Sequence, residues 1–349
     1  MNVLKARNVH EALPEALQRL WTNHRTTDSR NGPVWVAPLP GVCTVYSHPC
    51  ERVLFWSERD ANPFFHLMEG LWMLAGRRDV AWIRQFNSKF GQFSDDGKVF
   101  HGAYGHRWRF HFDHDQLDVI AEHLTDNPHC RRQVLTMWDP RVDLGEDGKD
   151  FPCNTQCYFQ RDPDGVLHMA VTCRSNDILW GCYGANAVHF SMLQEYMAAR
   201  IGCPVGTMTQ VSFNWHAYLA TTEHLMKTLR LKAREPRYAR HPLGENGYYN
   251  PYENGDVVPL PMIEGYFDDW TSDLDMFMDE GPDAVGYRTR FFRRVAIPLY
   301  RAYMTFKHDE GPTRYAQAQE LVLYECKATD WSRACWEWLE RRRKRAGEK

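Results

Sequence analysis

RRQVLTMWDPRVDLGEDGKDFPCNTQCYFQRDPDGVLHMAVTCRSND, residues 131–177, is the stretch on which the fold turns. Its apolar residues come in short runs: QVLTMW, then CYFQ, then LHMAVTC. The turn Asp162-Pro163-Asp164-Gly165 separates the last two. Such runs, bounded by turn residues, predict strands. Upstream, residues 9–24 predict an amphipathic helix (Val9, Leu13, Leu17, Leu20, Trp21). Residues 33–56 read as strands, 62–85 as a helix (Phe65, Met68, Leu71, Trp72, Leu74), and 113–126 as a helix ended by Asn127-Pro128. Downstream, 186–201 reads as an apolar helix closed by Gly202, 208–213 as a strand and 216–233 as a helix. Residues 234–264 read as a long surface loop rich in Pro, Gly, Asn and Tyr, and 284–343 again as helix. Strands and helices mix without a regular βαβ alternation, so the expected class is α+β.

The 349 residues suffice for one large domain or two modest ones. A formal net charge of −3 excludes a nucleic-acid coat or a polybasic membrane binder, and no DNA binding is expected. No apolar run reaches bilayer-spanning length, so no membrane partner is expected. The N-terminus, MNVLKARNVHEAL, lacks an apolar signal region. Ten cysteines without such a signal predict reduced thiols in a cytosol. Cys153 and Cys157 have no second pair to complete a zinc site, so no metal is expected. The basic end, Glu340–Lys349, reads as a solvated helix end and frayed tail.

Phe151-Pro152-Cys153-Asn154 places a cysteine where a loop enters a strand. Alone this signal is weak, because most cysteines are small buried hydrophobes. Arginines surround it in sequence: Arg131-Arg132 before it, Arg174-Ser175-Asn176-Asp177 after it, and Arg30 in Asp28-Ser29-Arg30-Asn31-Gly32. Guanidinium forks bind phosphate bidentately, with Ser hydroxyls and backbone N–H groups filling the gaps. The same charge would favour the attacking thiolate. The competing reading is that each arginine is a surface ion-pair partner.

At these residues the chain resembles the thymidylate synthase and pyrimidine nucleotide hydroxymethylase superfamily. The ordered series is Arg131-Arg132, Trp138-Asp139-Pro140, Pro152-Cys153, Arg174-Ser175-Asn176-Asp177, Gly181, Asn186 and His216-Ala217-Tyr218. Earlier matches are Ser29-Arg30-Asn31-Gly32, Glu69-Gly70-Leu71-Trp72 and Tyr104-Gly105-His106-Arg107-Trp108-Arg109. The resemblance implies a single catalytic domain over 1–349, with an insertion at 234–264 and a helical C-terminal region at 284–349. It implies a large mixed sheet packed with helices, one sheet face forming a homodimer interface. It also implies a cytoplasmic enzyme of a bacterial or phage-infected cell.

Position by position, the resemblance implies that Cys153 adds to C6 of a pyrimidine nucleoside monophosphate. Arg30, Arg174 and Ser175 would hold the 5′-phosphate, and Arg131 and Arg132 would reach the partner's phosphate across the dimer. His216 and Tyr218 would bond the sugar 3′-hydroxyl, and Asn186 would face N3 and O4. Glu69 would organise water and move protons, with Tyr104 lining the cavity. Asp177, Trp180 and Gly181 would meet the co-substrate 5,10-methylenetetrahydrofolate. Thiolate addition makes C5 nucleophilic, so it can take the folate's one-carbon unit. Carboxylate, water and Tyr suit the proton transfers that follow. Hydride transfer then gives a methyl group, and water gives a hydroxymethyl group.

On residue chemistry alone, Asn186 doubles as a helix N-cap and His216 as a packed helix-start histidine. Trp72 and Trp180 double as core. Glu69 on an apolar helix face needs a partner or a raised pKa. Several positions depart from the family's synthases. Asn154 replaces the usual His, and Cys173 the usual Gln. Residues 180–186 carry one extra residue, and Gln85–Phe90 replaces a Trp-rich segment. RRRKRAGEK replaces an apolar C-terminus that closes over the folate. The losses cluster on the folate side, and a wetter site favours trapping by water. The favoured reading is therefore dUMP 5-hydroxymethylation. Thymidylate synthesis and dCMP or CMP modification are the alternatives, and a nucleotide- or RNA-binding homologue without chemistry is the non-enzyme reading. An Asn amide can accept from N3–H and donate to O4 of uracil, and a flipped amide could pair with cytosine.

Overall fold

The computed structural model describes residues 2–223, 225, 249–311 and 313–347. Its first half runs β1 (Asn2–Ala6), α1 (Val9–Thr22), β2 (Arg25–Ser29), β3 (Gly32–Val36), β4 (Val42–Tyr46), α2 (Pro63–Leu74), α3 (Val80–Phe86), α4 (Tyr104–Arg109) and α5 (Gln116–Asp126). Then come β5 (Val134–Thr136), the short α6 (Pro140–Asp143), β6 (Asn154–Arg161), β7 (Leu167–Asp177), α7 (Asn186–Ile201) and β8 (Val205–Tyr218). Helices α8 (Phe267–Asp279), α9 (Ile297–His308), α10 (Thr313–Glu320) and α11 (Thr329–Arg345) complete the described chain.

Eight strands form one mixed sheet in the order β1-β4-β8-β7-β6-β5, with β3 also on β8 and β2 on β3. Pairs β1·β4 and β7·β8 are parallel, and the other pairs are antiparallel. This is the α+β class expected. In β7, Leu167, Met169, Val171 and Cys173 are buried while Arg174 emerges at the strand's end. Period-two alternation thus delivers a charged residue to the rim of a sheet whose inner face is core. Helix α7 is buried along almost its whole length, polar residues His189, Ser191, Gln194 and Glu195 included. It stops at Gly202, whose φ of +75° is the left-handed cap that glycine adopts without strain. Helix α2 crosses α7 where Gly70 meets Met192; a side chain there would strike the thioether.

Several expectations need correction. The helix expected over 62–85 is two, because Gly76 turns left-handed (φ +71°) and Asp79 caps a new start by accepting from Trp82 N–H at 3.0 Å. The strand expected at 208–213 extends to Tyr218. His216 therefore lies in a strand, paired with Val36 on one side and Asp177 on the other, and long-range pairing has overridden the local helical pattern. Of the surface loop expected at 234–264, residues 234–248 lie outside the described residues, as do most of 224–233 from the helix expected before it. The remainder is irregular but not superficial: Asn250, Tyr252, Val257 and Met262 are buried. Tyr252 donates to Asp330 at 3.0 Å and accepts from Val53 N–H at 3.1 Å. The helical C-terminal region opens earlier than expected, with α8 at Phe267.

The basic end is not a solvated tail as far as Arg345. Arg341, Arg342 and Arg345 all bond the Asp60 carboxylate, at 2.7 to 3.1 Å. Arg342 also stacks on Trp338 at 3.4 Å. Three guanidinium groups hold Asp60 below the usual carboxylate range despite its burial. No described helix is long and apolar enough to cross a membrane. Among the described residues no cluster of His, Cys, Asp and Glu could hold a metal ion.

Candidate active site

Cys153 ends the loop into β6, and its surroundings are built from the backbone outward. Tyr104, at the start of α4, presents its phenol oxygen to three donors. These are the N–H of Cys153 at 3.2 Å, the N–H of Asn154 at 3.1 Å and the Asn154 amide at 3.0 Å. Tyr104 is held there because Gly105 packs directly on the Met73 carbonyl at the end of α2, where no side chain fits. From the other side Arg174 wraps the same loop. Its N–H bonds the Cys153 carbonyl at 2.8 Å, and its guanidinium bonds the carbonyls of Pro152 (2.9 Å) and Phe151 (3.3 Å). The guanidinium also lies 5.4 Å from the Trp138 ring.

Burial pushes the Cys153 thiol above its ordinary value; Arg174 pulls it down, and Asp150 adds to the rise. The expectation that arginine charge favours the thiolate is thus outweighed by desolvation in the free protein. On balance, burial favours the protonated thiol.

The tip of the β2–β3 hairpin leans over this loop. Arg30, exposed, donates to the Gly148 carbonyl at 3.4 Å, and Asn31 donates to the Tyr218 hydroxyl at 3.4 Å. Tyr218 packs edge-on against His216, whose Nδ1 lies 3.0 Å from Asn214 Oδ1. Ser175 sits opposite Asn214 in the β7·β8 ladder. The C-terminal end of β7 thus sets Arg174, Ser175 and Asp177 in a row, with His216 and Tyr218 on the neighbouring strand. Arg131 and Arg132 are exposed before β5, and among the described residues neither joins an ion pair or bonds this cluster.

Asp177 ends β7 as a cap, accepting from the N–H groups of Leu179 (2.8 Å) and Trp180 (2.6 Å) through one oxygen. Its other oxygen is buried with no hydrogen-bond partner among the described residues. Burial raises its pKa, against those two N–H groups, His216 and Arg59. Trp180 is 55% exposed, and Arg59 stacks on its ring at 4.3 Å while donating to the Leu179 carbonyl at 2.8 Å. Burial brings Arg59 down to about 10. An orphaned carboxylate oxygen beside an exposed indole fits a flat ligand carrying ring N–H donors.

Asn186 is not an N-cap: Ala185 precedes α7 without a side-chain cap, and the Asn186 amide donates instead to Asn176 Oδ1 at 3.1 Å. Gly181 lies against this pair. An added methyl there would sit 2.7 Å from Asn176 Oδ1 and 3.2 Å from Asn186 Nδ2. Gly181→Ala is therefore expected to lower affinity for a base bound at Asn186 about tenfold, with a melting temperature within a few degrees of wild type. Titration with nucleotide and a thermal melt check both; unchanged affinity contradicts the assignment.

Glu69 is buried on α2, and burial lifts its pKa to about 8. His189 Nε2 approaches it at 3.4 Å, yet burial lowers His189 to about 3, and that nitrogen lies 3.2 Å from the His66 carbonyl. At neutral pH both groups are uncharged, so the contact is not an ion pair. No hydrogen bond joins Glu69 to the Cys153 loop among the described residues; its Oε2 is buried without a hydrogen-bond partner.

Sequence reasoning assigned no role to Asn154, Asn176, Arg59 or Asp60. Asn176 stood in view as the variable place between Ser175 and Asp177. Arg59 and Asp60 carried no periodic or motif signal.

The family model described as thymidylate synthase matches residues 58–243. The chain is 52% identical over 343 residues to a deoxyuridylate hydroxymethyltransferase of Pseudomonas phage M6, covering 98% of this chain and 95% of that one. A deoxyuridylate hydroxymethyltransferase of Bacillus phage SP01 is 39% identical over 185 residues, 50% of this chain and 48% of that one. A putative thymidylate synthase of Methanosarcina barkeri is 37% identical over 144 residues, 40% of this chain and 64% of that one.

Proposed function

Because this chain belongs to the thymidylate synthase family, we propose that it moves a one-carbon unit from 5,10-methylenetetrahydrofolate to C5 of dUMP and releases 5-hydroxymethyl-dUMP. The observation that carries this reading is the near-full-length relatedness to the phage M6 deoxyuridylate hydroxymethyltransferase. Residues 1–349 act together as one catalytic unit in this reading.

The phosphate docks on Arg174, Ser175 and Arg30. Arg174 already grips the Cys153 loop, so phosphate binding and nucleophile placement share one side chain. His216 and Tyr218 take the 3′-hydroxyl, and Asn186 meets the base edge. Sulfur then attacks C6, and the electron pair moves to C5. Tyr104, fixed by three N–H donors, lines the reacting face, and Glu69, neutral at rest, passes protons with water. C5 bonds the methylene of the folate held against Asp177, Trp180 and Gly181; loss of the C5 proton and departure of tetrahydrofolate then leave an exocyclic methylene on C5. Water adds to the exocyclic methylene left on C5, and Cys153 leaves.

Water rather than hydride is favoured by the folate side. Trp180 is widely exposed, and helix α11 is tied to Asp60 by arginines. The outward sheet face, where Tyr158 and Phe213 stand exposed, takes a second copy of the chain, and Arg131 and Arg132 serve that copy's phosphate. Incubation with dUMP and the folate is expected to give 5-hydroxymethyl-dUMP by mass. Production of dTMP with dihydrofolate would make the chain a thymidylate synthase, and turnover of dCMP without dUMP would reverse the reading of Asn186.

A further inference from the structure

Asn186 does not stand alone against the base edge. Its Nδ2 donates to Asn176 Oδ1 at 3.1 Å, and Asn176 Nδ2 donates to Ser212 Oγ at 2.9 Å. Ser212 Oγ in turn lies 3.8 Å from Cys182 Sγ. All four residues are buried. They join the start of α7 to β7 and β8, and Gly181 leaves room for the Asn176–Asn186 bond because it has no side chain.

We propose that Asn176 is a positioning residue that fixes the amide of Asn186 in the orientation that reads uracil, and so discriminates against cytosine. The inference rests on the uracil reading above. Asn186 Nδ2 has two hydrogens, and Asn176 takes one. The second hydrogen and the carbonyl oxygen remain for the base. Uracil offers an N3–H donor and an O4 acceptor, which match that oxygen and that hydrogen. Cytosine offers the reverse, a bare N3 and an exocyclic amine.

Reading cytosine in the same pose requires the Asn186 amide to turn over. Its carbonyl would then face Asn176 Oδ1, two acceptors in a buried site with no proton between them. Turning Asn176 as well would point its carbonyl at Ser212, whose hydroxyl would then have to donate where it now accepts. One base change thus demands the concerted reversal of a chain of buried groups. A lone amide at position 186 would reverse freely.

The test is the ratio of Kd values for dUMP and dCMP, measured by calorimetry without folate, for wild type, Asn176→Ala, Asn176→Asp and Ser212→Ala. Thermal melts confirm folding of each. Asn176→Ala frees the Asn186 amide and is expected to shrink the preference for dUMP about tenfold, the fold-change of one oriented hydrogen bond. Asn176→Asp keeps an acceptor towards Asn186 and is expected to retain most of the preference. Ser212→Ala, a small change that removes only the anchor of Asn176, is expected to shrink it about threefold and carries the test if Asn176→Ala does not fold. A structural role alone would weaken both nucleotides equally. Equal weakening, or an unchanged ratio in both alanine variants, overturns the proposal. A wild-type enzyme that binds dCMP in preference to dUMP instead overturns the uracil reading beneath it.

Discussion

Cys153→Ala is expected to lower dUMP turnover by roughly 10⁴-fold or more while nucleotide still binds. Without sulfur addition at C6, C5 of uracil is too weak a nucleophile to take the one-carbon unit, and no other cysteine can substitute. Cys157 and Cys173 are buried in the sheet, and burial holds both thiols well above the ordinary value. Binding survives because Arg174 grips the carbonyls of Phe151, Pro152 and Cys153, not the thiol. The raised thiol pKa adds a signature: kcat/KM of the wild type is expected to climb as pH rises through the neutral range. A variant that keeps a tenth of wild-type turnover contradicts the role of Cys153.

Glu69→Gln is expected to reduce turnover by about 10²- to 10³-fold and, at the same time, to stabilise the fold near neutral pH. The ordinary carboxyl value is 4.5, and the folded value is about 8. Between these, the unfolded chain gives up the proton and the folded one keeps it. The mismatch weighs against folding, grows as pH rises from 4.5 to 8, and is absent below 4.5. At pH 7 it amounts to at most about 3 kcal/mol, which a neutral amide of the same shape removes. Urea unfolding at pH 7 and pH 4 should show the variant more stable only at the higher value. An equal advantage at both, or a loss at pH 7, contradicts the buried neutral carboxyl. The histidines act in the opposite direction. His10 and His189, each lowered to about 3, stay neutral while the unfolded chain takes up protons below 6.5. Acid destabilisation should therefore be steeper in the Glu69→Gln variant, which has lost the opposing term.

Part of the candidate site could be read from residue order because one strand end carries Arg174, Ser175 and Asp177. The run from Arg174 to Asp177 projects from a single strand end, so the motif and the geometry are nearly the same object. Cys153 was legible for the same reason, since β6 and β7 are antiparallel neighbours joined by a turn with a clear signature. What escaped depends on contacts far apart in sequence. The pairing of β8 with β3 and β7 turned Asn214–Tyr218 into strand against a local helical pattern. The arginines of α11 found Asp60 across some 280 residues, which no periodicity reports. Asn176 occupied a place where the motif tolerates any residue, and only its distances to Asn186 and Ser212 reveal a task. At Cys153 the lowering by Arg174 is visible in sequence, whereas the larger rise from burial is not.

Product analysis in oxygen-18 water shows whether water or hydride completes the reaction at C5. With dUMP and 5,10-methylenetetrahydrofolate, the account predicts a 5-hydroxymethyl nucleotide whose new hydroxyl carries the heavy oxygen, with tetrahydrofolate as the spent co-substrate. An unlabelled methyl product accompanied by dihydrofolate would contradict it.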